Sequence, residues 1–281
     1  MQQPTLIESP HLVEPGKPID LSTTPTDGNG SGLSKDEAKR LTGKHLKRLD
    51  ELQEVLVAER KHAVLVVFQA IDTGGKDSTI RGVFEPLDPQ GVSVASFRVP
   101  TPVELSHDFL WRYHMACPPK GHITFFNRSH YESVLVERVK EIVPESVWRG
   151  RYAQINEFER MLASEGTTIL KFFLHISKKE QAQRFRDRLT EPEKWWKFNE
   201  ADLAERRQWD DYQAAFQDAL NHCSTPWAPW YAIPADQKWY RNLQVAEIVR
   251  KKLESLDLCY PRPDPALKEK ISGFLSALDE E

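Results

Sequence analysis

Residues 63–81 read AVLVVFQAIDTGGKDSTIR, and this stretch decides the fold. A Val-rich apolar run of this length is typical of a strand that is buried on both faces of a parallel sheet. The run ends at Gly74 and Gly75, and a helical pattern begins at Lys76. Glycines let backbone N–H groups approach an anion, and a helix start offers unpaired N–H groups and a positive dipole end. The order of strand, loop and helix therefore predicts a phosphate-binding loop, to which Lys76 adds a charge.

The loop matches only part of the phosphate-binding pattern Gly-x-x-x-x-Gly-Lys-Ser/Thr, the Walker A motif. Ala70 stands at the first glycine position and Asp77 at the hydroxyl position, so only Gly75 and Lys76 agree with the pattern. Taken alone, two glycines followed by a lysine fit an ordinary strand-to-helix turn better, because short motifs often match by chance. Asp72 favours the phosphate site, because a carboxylate inside such a loop suits Mg²⁺.

The composition limits the class of protein. With 281 residues, the chain is long enough for one large α/β domain or two small ones, of which one is favoured. Its formal net charge of −4 argues against a nucleic-acid partner, so any polyanion site has to be local. Three cysteines are widely spaced and lack metal-ligand spacing, which indicates a reducing compartment. The sequence shows neither an apolar run of roughly 20 residues nor a signal peptide, so we expect a cytoplasmic protein without a membrane partner.

The chain divides by composition into three parts. Residues 1–32 are rich in Pro, Gly, Ser and Thr, and they are predicted to form a flexible arm that buries too little apolar surface to order itself. Residues 33–258 hold the main domain. Residues 259–281 are a tail ending in a helix, which is predicted to pack on the outside or against another subunit of a homo-oligomer.

Strand-like and helical segments alternate along the main domain. This alternation predicts a parallel sheet with helices on both faces. A Pro-broken aromatic segment near the end predicts a loop and a short edge strand. Ligands bind beyond the carboxyl ends of such strands, so Arg98 and the segment from Asn127 to Glu132 are further site candidates. The predicted strands are residues 63–69, 92–99, 122–126 and 168–176, with the edge strand within 225–234.

A basic segment follows the fourth strand. From Lys171 to Lys197 the basic residues outnumber the acidic ones eight to four, and Arg184 and Arg188 lie one helical turn apart. Any one charged run fits a solvated helix face. Here, however, residues 194–197 read KWWK, and aromatics interleaved with cations favour an anion-binding patch.

Together these motifs resemble the polyphosphate kinase 2 family, which transfers phosphoryl groups between inorganic polyphosphate and nucleotides. The resemblance covers roughly residues 34–256 and implies a three-layer αβα, P-loop kinase-like fold with a helical lid at about residues 178–212. It rests on residues 71–77, on Arg98 with residues 101–105 and 107–112, on residues 127–132 and 184–197, and on residues 228–231 with 235–240.

One departure from the family pattern concerns the third strand. The wider family ends that motif with Asp-Arg-Ser, whereas this chain has Asn127, Arg128 and Ser129. A neutral amide holds Mg²⁺ less well than a carboxylate, so more of the metal binding falls to Asp72. In this respect the chain resembles the subgroup that accepts both nucleoside mono- and diphosphates.

The resemblance also implies an activity and roles for residues. The activity is Mg²⁺-dependent transfer of a phosphoryl group from polyphosphate to AMP or ADP, and the reaction could run in either direction. Mn²⁺ is a second candidate ion, and guanine nucleotides are further candidate substrates. Asp72 would bind the metal and position the acceptor, Lys76 would bind a bridging phosphate, and Arg128 would contact the transferring group. The other expected phosphate- or nucleotide-binding residues are Gly74, Gly75, Asp77, Ser78, Arg81, Arg98, Arg112, Asn127 and Glu132. The expected polyphosphate track along the lid consists of Arg184, Arg188, Lys194 and Lys197, with Arg81 beside it.

Some alternatives stay open. Arg98, Arg112 and Glu132 fit an internal Arg–Glu pair that holds the loops about as well as a ligand contact. An ordinary nucleotide kinase with ATP as donor is the nearest alternative function, although the basic segment favours a longer polyanion. A non-catalytic module that binds nucleotides or single-stranded nucleic acid is the other. Asp72 argues against it, because a carboxylate in the loop repels phosphate unless a cation intervenes.

Overall fold

The computed structural model describes residues 5–279. Within them, six strands form one sheet, and its centre is the Val-rich strand predicted over residues 63–69. The strands are β1 (Leu12–Val13), β2 (Ala63–Gln69), β3 (Val92–Ser96), β4 (Ile123–Asn127), β5 (Thr167–His175) and β6 (Trp230–Pro234). They lie side by side in the order β1, β6, β5, β2, β4, β3. Every residue of β2 is buried, and β2 pairs in parallel with β4 on one side and β5 on the other.

Helices cover both faces of this sheet, which confirms the predicted α/β class. The helices are α1 (Lys35–Glu59), α2 (Lys76–Phe84), α3 (Pro102–Leu105), α4 (Trp111–His114), α5 (Val136–Val139), α6 (Glu145–Ser164), α7 (Lys178–Thr190), α8 (Glu200–Arg207), α9 (Trp209–Cys223), α10 (Lys238–Glu254) and α11 (Pro265–Asp279). Helices α1, α2 and α10 pack together as one layer, and α5, α6 and α9 form the other. None of the helices over residues 5–279 is both long and apolar enough to cross a membrane.

The sheet differs from the prediction at its β1 edge. It is mixed rather than wholly parallel, because β1 pairs antiparallel with β6. The predicted edge strand is an interior strand: β6 lies between β5 and β1, and all five of its residues are buried. Pro234 fits there because it is the last residue of β6, where its missing N–H costs least.

The N-terminal segment supplies that edge strand. Ile7, Val13 and Leu21 are buried, and the N–H of Ala232 donates to the carbonyl of His11 at 2.8 Å. The prediction that this segment buries too little apolar surface to pack is therefore wrong for residues 5–32. A few well-spaced apolar residues suffice, because the open backbone of β6 provides hydrogen-bond partners. Residues 1–4 of the predicted arm lie outside the described residues.

Two segments of the main domain each form a pair of helices. Residues 200–223 form α8 and α9, which are separated at Gln208, and Leu203 on α8 is exposed. The segment after Thr101 likewise contains two short helices, α3 and α4. The tail helix is present as α11, but it buries no residue.

A buried ionic network fixes the segment that follows β4. The ammonium of Lys171 on β5 donates to Glu159 Oε2 at 2.6 Å, to the Tyr131 hydroxyl at 2.7 Å and to the carbonyl of Cys223 at 2.7 Å. Glu159 also accepts from Tyr131 at 2.9 Å and lies 3.1 Å from Nε2 of His130. Burial by itself would raise the pKa of Glu159, but the charge of Lys171 and the hydrogen bond with His130 together outweigh burial and keep this pKa below its usual value.

Replacing Glu159 with Gln should lower the free energy of unfolding by about 3–5 kcal/mol, because it leaves the buried charge of Lys171 without its counter-ion. Urea unfolding at neutral pH measures this loss as a lower midpoint at an unchanged slope. The matched control is Glu157→Gln on the same helix, where the carboxylate is 64% exposed and pairs with Arg160. That change should cost about 1 kcal/mol or less. Equal losses for the two variants would contradict the prediction.

Candidate active site

The loop between β2 and α2 has the conformation that an anion site requires. Thr73 and Gly75 have positive φ angles of 63° and 101°, and the N–H of Gly74 donates to the carbonyl of Ile71 at 2.9 Å. A Cβ atom on Gly74 would lie 2.4 Å from Cβ of Ala70, so no larger residue fits there. Gly75 is the residue before α2, whose first N–H groups have no partner within the helix. Both glycines therefore serve a tight turn into a helix N-terminus.

Lys76 lies underneath this loop. Its side chain is only 8% exposed, and Nζ donates to the carbonyl of Ala70 at 2.9 Å. Burial lowers the pKa of Lys76. An ammonium that is already out of water needs little further desolvation when a phosphate binds, so it interacts strongly with that phosphate.

The ends of β2 and β4 bring together three predicted site residues. Oδ1 of Asp72 accepts a hydrogen bond from Nη2 of Arg128 at 2.9 Å, and Oε2 of Glu132 accepts one from Nη1 of Arg128 at 3.0 Å. Arg128 has a positive φ of 65°, which is uncommon for a non-glycine residue and typical of functional sites. The internal Arg–Glu pair considered above for Arg98, Arg112 and Glu132 is thus formed by Glu132, but its partner is Arg128. Two carboxylates fix the guanidinium beside the phosphate loop.

A carboxylate from α8 completes this cluster. Glu205 lines the same small cavity as Asp72, Arg128 and Glu132, and it forms an ion pair with Lys140. Burial and the neighbouring Asp72 raise the pKa of Glu205 to about 7. Glu205 looks like any solvated acidic residue of a charged helix, so the sequence carries no signal that α8 would bring it to the loop.

The pKa values of Asp72 and Glu205 shift in opposite directions. Burial by itself would raise the pKa of Asp72, but the hydrogen bond with Glu205 and the charge of Lys76 outweigh burial and hold this pKa below its usual value. Asp72 is therefore the ionised member of the pair at neutral pH.

The first helix of the predicted lid supports the other side of the loop. Arg184 on α7 donates from Nη1 to the carbonyl of Thr73 at 2.8 Å and from Nη2 to the carbonyl of Ala235 at 2.6 Å. Gln181, one turn earlier, donates to the carbonyl of Asp72 at 3.0 Å. Arg184 thus contacts the loop between β2 and α2 directly, whereas it was expected on the polyphosphate track along the lid.

The two residues that depart from the expected sequence patterns, Asp77 and Asn127, form a hydrogen bond with each other. Nδ2 of Asn127 donates to Oδ1 of Asp77 at 2.6 Å. Asp77 stands where the Walker A pattern has a hydroxyl, and Asn127 stands where the wider family has a carboxylate. The carboxylate missing from the end of β4 is therefore present at the start of α2, directly opposite.

The remaining predicted residues lie farther from the loop. Arg112 donates to the carbonyl of Arg98 at 2.9 Å and lies 3.7 Å from Glu104, so it holds the segment after β3. Arg98 itself is exposed. Ser78 donates to the carbonyl of Gly75 at 3.0 Å, and Arg81 is exposed in the last turn of α2.

The outer cations of the lid contact other parts of the lid. Arg188 lies 3.6 Å from Asp202 of α8. Nζ of Lys197 lies 4.9 Å from the ring centre of Trp196, which is 78% exposed, and Lys194 pairs with Glu191. The structure thus separates the cations at the loop from a more exposed cationic group along residues 188–197.

Oxygen donors for a metal are few but suitably placed. Across residues 5–279, no three His, Cys, Asp or Glu side chains are arranged to hold a metal ion by themselves. Asp72 and Asp77 flank the phosphate loop within the same six residues. One or two carboxylates, with substrate phosphates as the other ligands, are the usual protein site for Mg²⁺, so the donor set fits that ion.

Arg241 on α10 was not predicted as a site residue. It is buried to 1% exposure against the phosphate loop, on the same helix face as Val245 and Ile248. Its spacing of four and seven residues from these apolar positions is a signal in the sequence, because a basic residue on a buried stripe is unusual.

Known proteins resemble this chain over most of its length. Residues 32–259 match the family model described as polyphosphate kinase 2. The chain is 59% identical over 225 residues to the AMP/ADP-polyphosphate phosphotransferase of Meiothermus ruber, covering 80% of this chain and 84% of that protein. It is 44% identical over 268 residues to the ADP-polyphosphate phosphotransferase of Rhodopseudomonas palustris, covering 91% and 93%. The crystal structure of polyphosphate kinase 2 from Arthrobacter aurescens TC1 superposes with a TM-score of 0.82 at 38% identity, covering 92% of this chain and 98% of that one.

Proposed function

Because the chain belongs to the polyphosphate kinase 2 family, we propose that it transfers the terminal phosphoryl group of inorganic polyphosphate to AMP and ADP, with Mg²⁺ or Mn²⁺ bound. It is an enzyme, a polyphosphate-dependent nucleotide phosphotransferase. The relatives named above support both acceptors, since one acts on AMP and ADP and the other on ADP by name. The observation that carries the proposal is the Arg128 guanidinium, held by Asp72 and Glu132 beside the phosphate loop.

The reaction requires little proton transfer. The attacking group is a terminal phosphate oxygen of the nucleotide, and the second pKa of such a phosphate is about 6, so it is largely ionised at pH 7. Its oxygen forms a bond to the terminal phosphorus of polyphosphate, and the bond from that phosphorus to the bridging oxygen breaks. The leaving group is a polyphosphate shorter by one unit, whose new terminal oxygen takes the electron pair. Positioning and charge stabilisation therefore supply most of the catalysis.

The residues at the loop are suited to these tasks. The N–H groups at the start of α2 and the ammonium of Lys76 would bind the bridging or leaving phosphate. Arg128 would donate to the transferring group, and its two carboxylate partners fix the plane of its guanidinium before substrate binds. Asp72 would also position the acceptor.

Asp72 and Asp77 would hold the metal ion. When bound, it would neutralise part of the charge that two polyanions bring together. Asn127 orients Asp77 through their hydrogen bond, so this residue would act on the metal indirectly.

The rest of the lid would guide the polyphosphate chain. Residues 178–212 would close over the site. Arg188, Lys194 and Lys197 would form a partly exposed track, and Arg98 and Arg112 would lie on the opposite side, toward the nucleotide. Guanine nucleotides are further candidate acceptors. A cytoplasmic location and assembly through the exposed apolar side chains of α11 belong to the same proposal.

Coupled assays for ADP and ATP test the function. The purified chain should form ADP from AMP, and ATP from ADP, when polyphosphate and Mg²⁺ are both present, and EDTA should stop both reactions. Turnover of AMP with ATP as donor but not with polyphosphate would identify an ordinary nucleotide kinase instead. Binding of the nucleotides without turnover of any donor would identify a non-catalytic module.

A further inference from the structure

Among residues 5–279, Arg241 is a buried cation without an anionic partner. Its side chain is 1% exposed, and Nε and Nη2 donate only to the amide oxygen of Asn242, at 3.0 and 2.8 Å. Nη1 is fully buried and has no hydrogen-bond partner among the residues that the structure describes. A buried charge is normally paired, because leaving it unpaired costs several kcal/mol. The burial of Arg241 therefore indicates that an anion is its partner in another state of the protein.

The unpaired nitrogen is directed at the phosphate loop. A Cβ atom built on Gly75 would lie 2.2 Å from Nη1 of Arg241 and 3.4 Å from Nη1 of Arg184. Two guanidinium groups thus converge on the residue that precedes α2. Burial, followed by the charge of Arg184, lowers the pKa of Arg241 to about 9, and no carboxylate offsets either effect.

The convergence forms a site with an excess of positive charge. Arg184 already has Glu180 as a partner at 2.8 Å, so the uncompensated charge belongs to Arg241. The helix N-terminus at Gly75 adds partial positive charge at the same point. Two cations and a helix dipole thus meet at Gly75, and of the two cations Arg184 has a carboxylate partner and Arg241 has none among residues 5–279, which favours the binding of an anion.

We propose that Arg241 is a phosphate ligand of the loop, which donates from Nη1 to an oxygen of a phosphoryl group bound between Gly75 and Arg184. The inference rests on the proposed function, because it assumes that phosphate groups occupy the loop. The phosphoryl group is either a unit of polyphosphate or the terminal phosphate of a nucleotide, and both offer the same oxygen chemistry. Nothing in the sequence motifs of the loop assigns this residue, which reaches the site from α10, more than 160 residues along the chain.

Calorimetric titration tests the role without relying on turnover. Tripolyphosphate and ADP are the two probes, each titrated with Mg²⁺ into the wild type and into Arg241→Met. We expect the variant to bind at least one probe about ten- to a hundredfold more weakly, the effect of losing a hydrogen bond to a charged group. Weaker binding of tripolyphosphate alone identifies polyphosphate as the source of the phosphoryl group, and weaker binding of ADP alone identifies the nucleotide.

Two further variants make the test specific. Arg250→Met removes a positive charge from the same helix about 13 Å farther along, where Arg250 pairs with Glu254, and it should change neither affinity by more than about twofold. Arg241→Lys keeps the charge but loses the planar guanidinium, so it should weaken binding several-fold. This variant carries the test if Arg241→Met does not fold.

A purely structural role predicts a different result. In that case Arg241→Met would lower the thermal midpoint of the free protein. Its affinities for both probes would equal those of the wild type, and saturating tripolyphosphate would raise its midpoint by the same amount as in the wild type. That result would overturn the inference while the proposed function stands. If the wild type binds neither probe, both fail together.

Discussion

Replacing Lys76 with Ala should reduce phosphoryl transfer by about a thousandfold or more while the protein stays folded. The ammonium is desolvated in the free protein, and among residues 5–279 it donates one hydrogen bond, to the carbonyl of Ala70. Under the proposed function, its main interaction partner is therefore the substrate. Removing it takes away a preorganised charge at the point where negative charge develops on the leaving phosphate. The measurement is kcat for ATP formation from ADP and polyphosphate, with the circular dichroism spectrum as the check on folding.

A matched lysine separates this effect from a general loss of charge. Lys44 on α1 is exposed, and Lys44→Ala should keep wild-type kcat. If Lys76→Ala retained near-normal turnover, the loop would not bind the reacting phosphates through this residue, and the strand-to-helix turn would be only a turn.

Replacing Asp72 with Asn is the second change with a large expected effect. The amide has nearly the same shape and its oxygen still accepts from Arg128, so the local structure should persist. The negative charge is lost, however, and with it the better ligand for a divalent cation. We expect kcat to fall about a hundredfold or more and the Mg²⁺ concentration for half-maximal rate to rise about ten- to a hundredfold.

The metal dependence is the informative part of that experiment. Titrating Mg²⁺ at fixed polyphosphate and ADP distinguishes lost metal affinity from lost positioning of the acceptor, which would lower kcat at every Mg²⁺ concentration. Asp50→Asn, an exposed position on α1, serves as the control. A variant with normal kcat and an unchanged Mg²⁺ requirement would remove Asp72 from the proposed metal site.

The part of the site that could be predicted from the sequence is the part that is local or set by sheet geometry. β2, the loop and the start of α2 are consecutive in the chain, so apolar periodicity and two glycines were enough to find them. The contact between Asp72 and Arg128 follows from two adjacent parallel strands, whose carboxyl ends meet at one edge.

The rest depends on how distant helices approach the loop. Glu205 and Arg241 come from α8 and α10, and no short-range pattern states where these helices lie. The contact between Asp77 and Asn127 could not be predicted for another reason. Asp77 departs from the Walker A pattern and Asn127 from the family pattern at the third strand, and neither pattern contains both positions. Only their 2.6 Å hydrogen bond shows that the two changes compensate.

Composition gave a wrong prediction for the N-terminal segment, which packs against the sheet. It averages over residues, whereas burial in that segment depends on three apolar side chains at particular positions and on backbone pairing with β6. The Pro-broken segment before residue 234 was predicted to lie at an edge for a different reason, the missing N–H of proline, but Pro234 is the last residue of β6.

The pairing of Leu12 with Tyr231 has a consequence for how the chain is made. During synthesis β1 leaves the ribosome first, but its partner strand emerges only after nearly the whole domain has been translated. Closing so long a loop is entropically costly, so we expect β1 to dock late, after β6 has joined β5. Until then the outer edge of β6 is open to strands of other nascent chains. β1 therefore acts as an intramolecular cap that ends the interval in which this protein is most prone to aggregate.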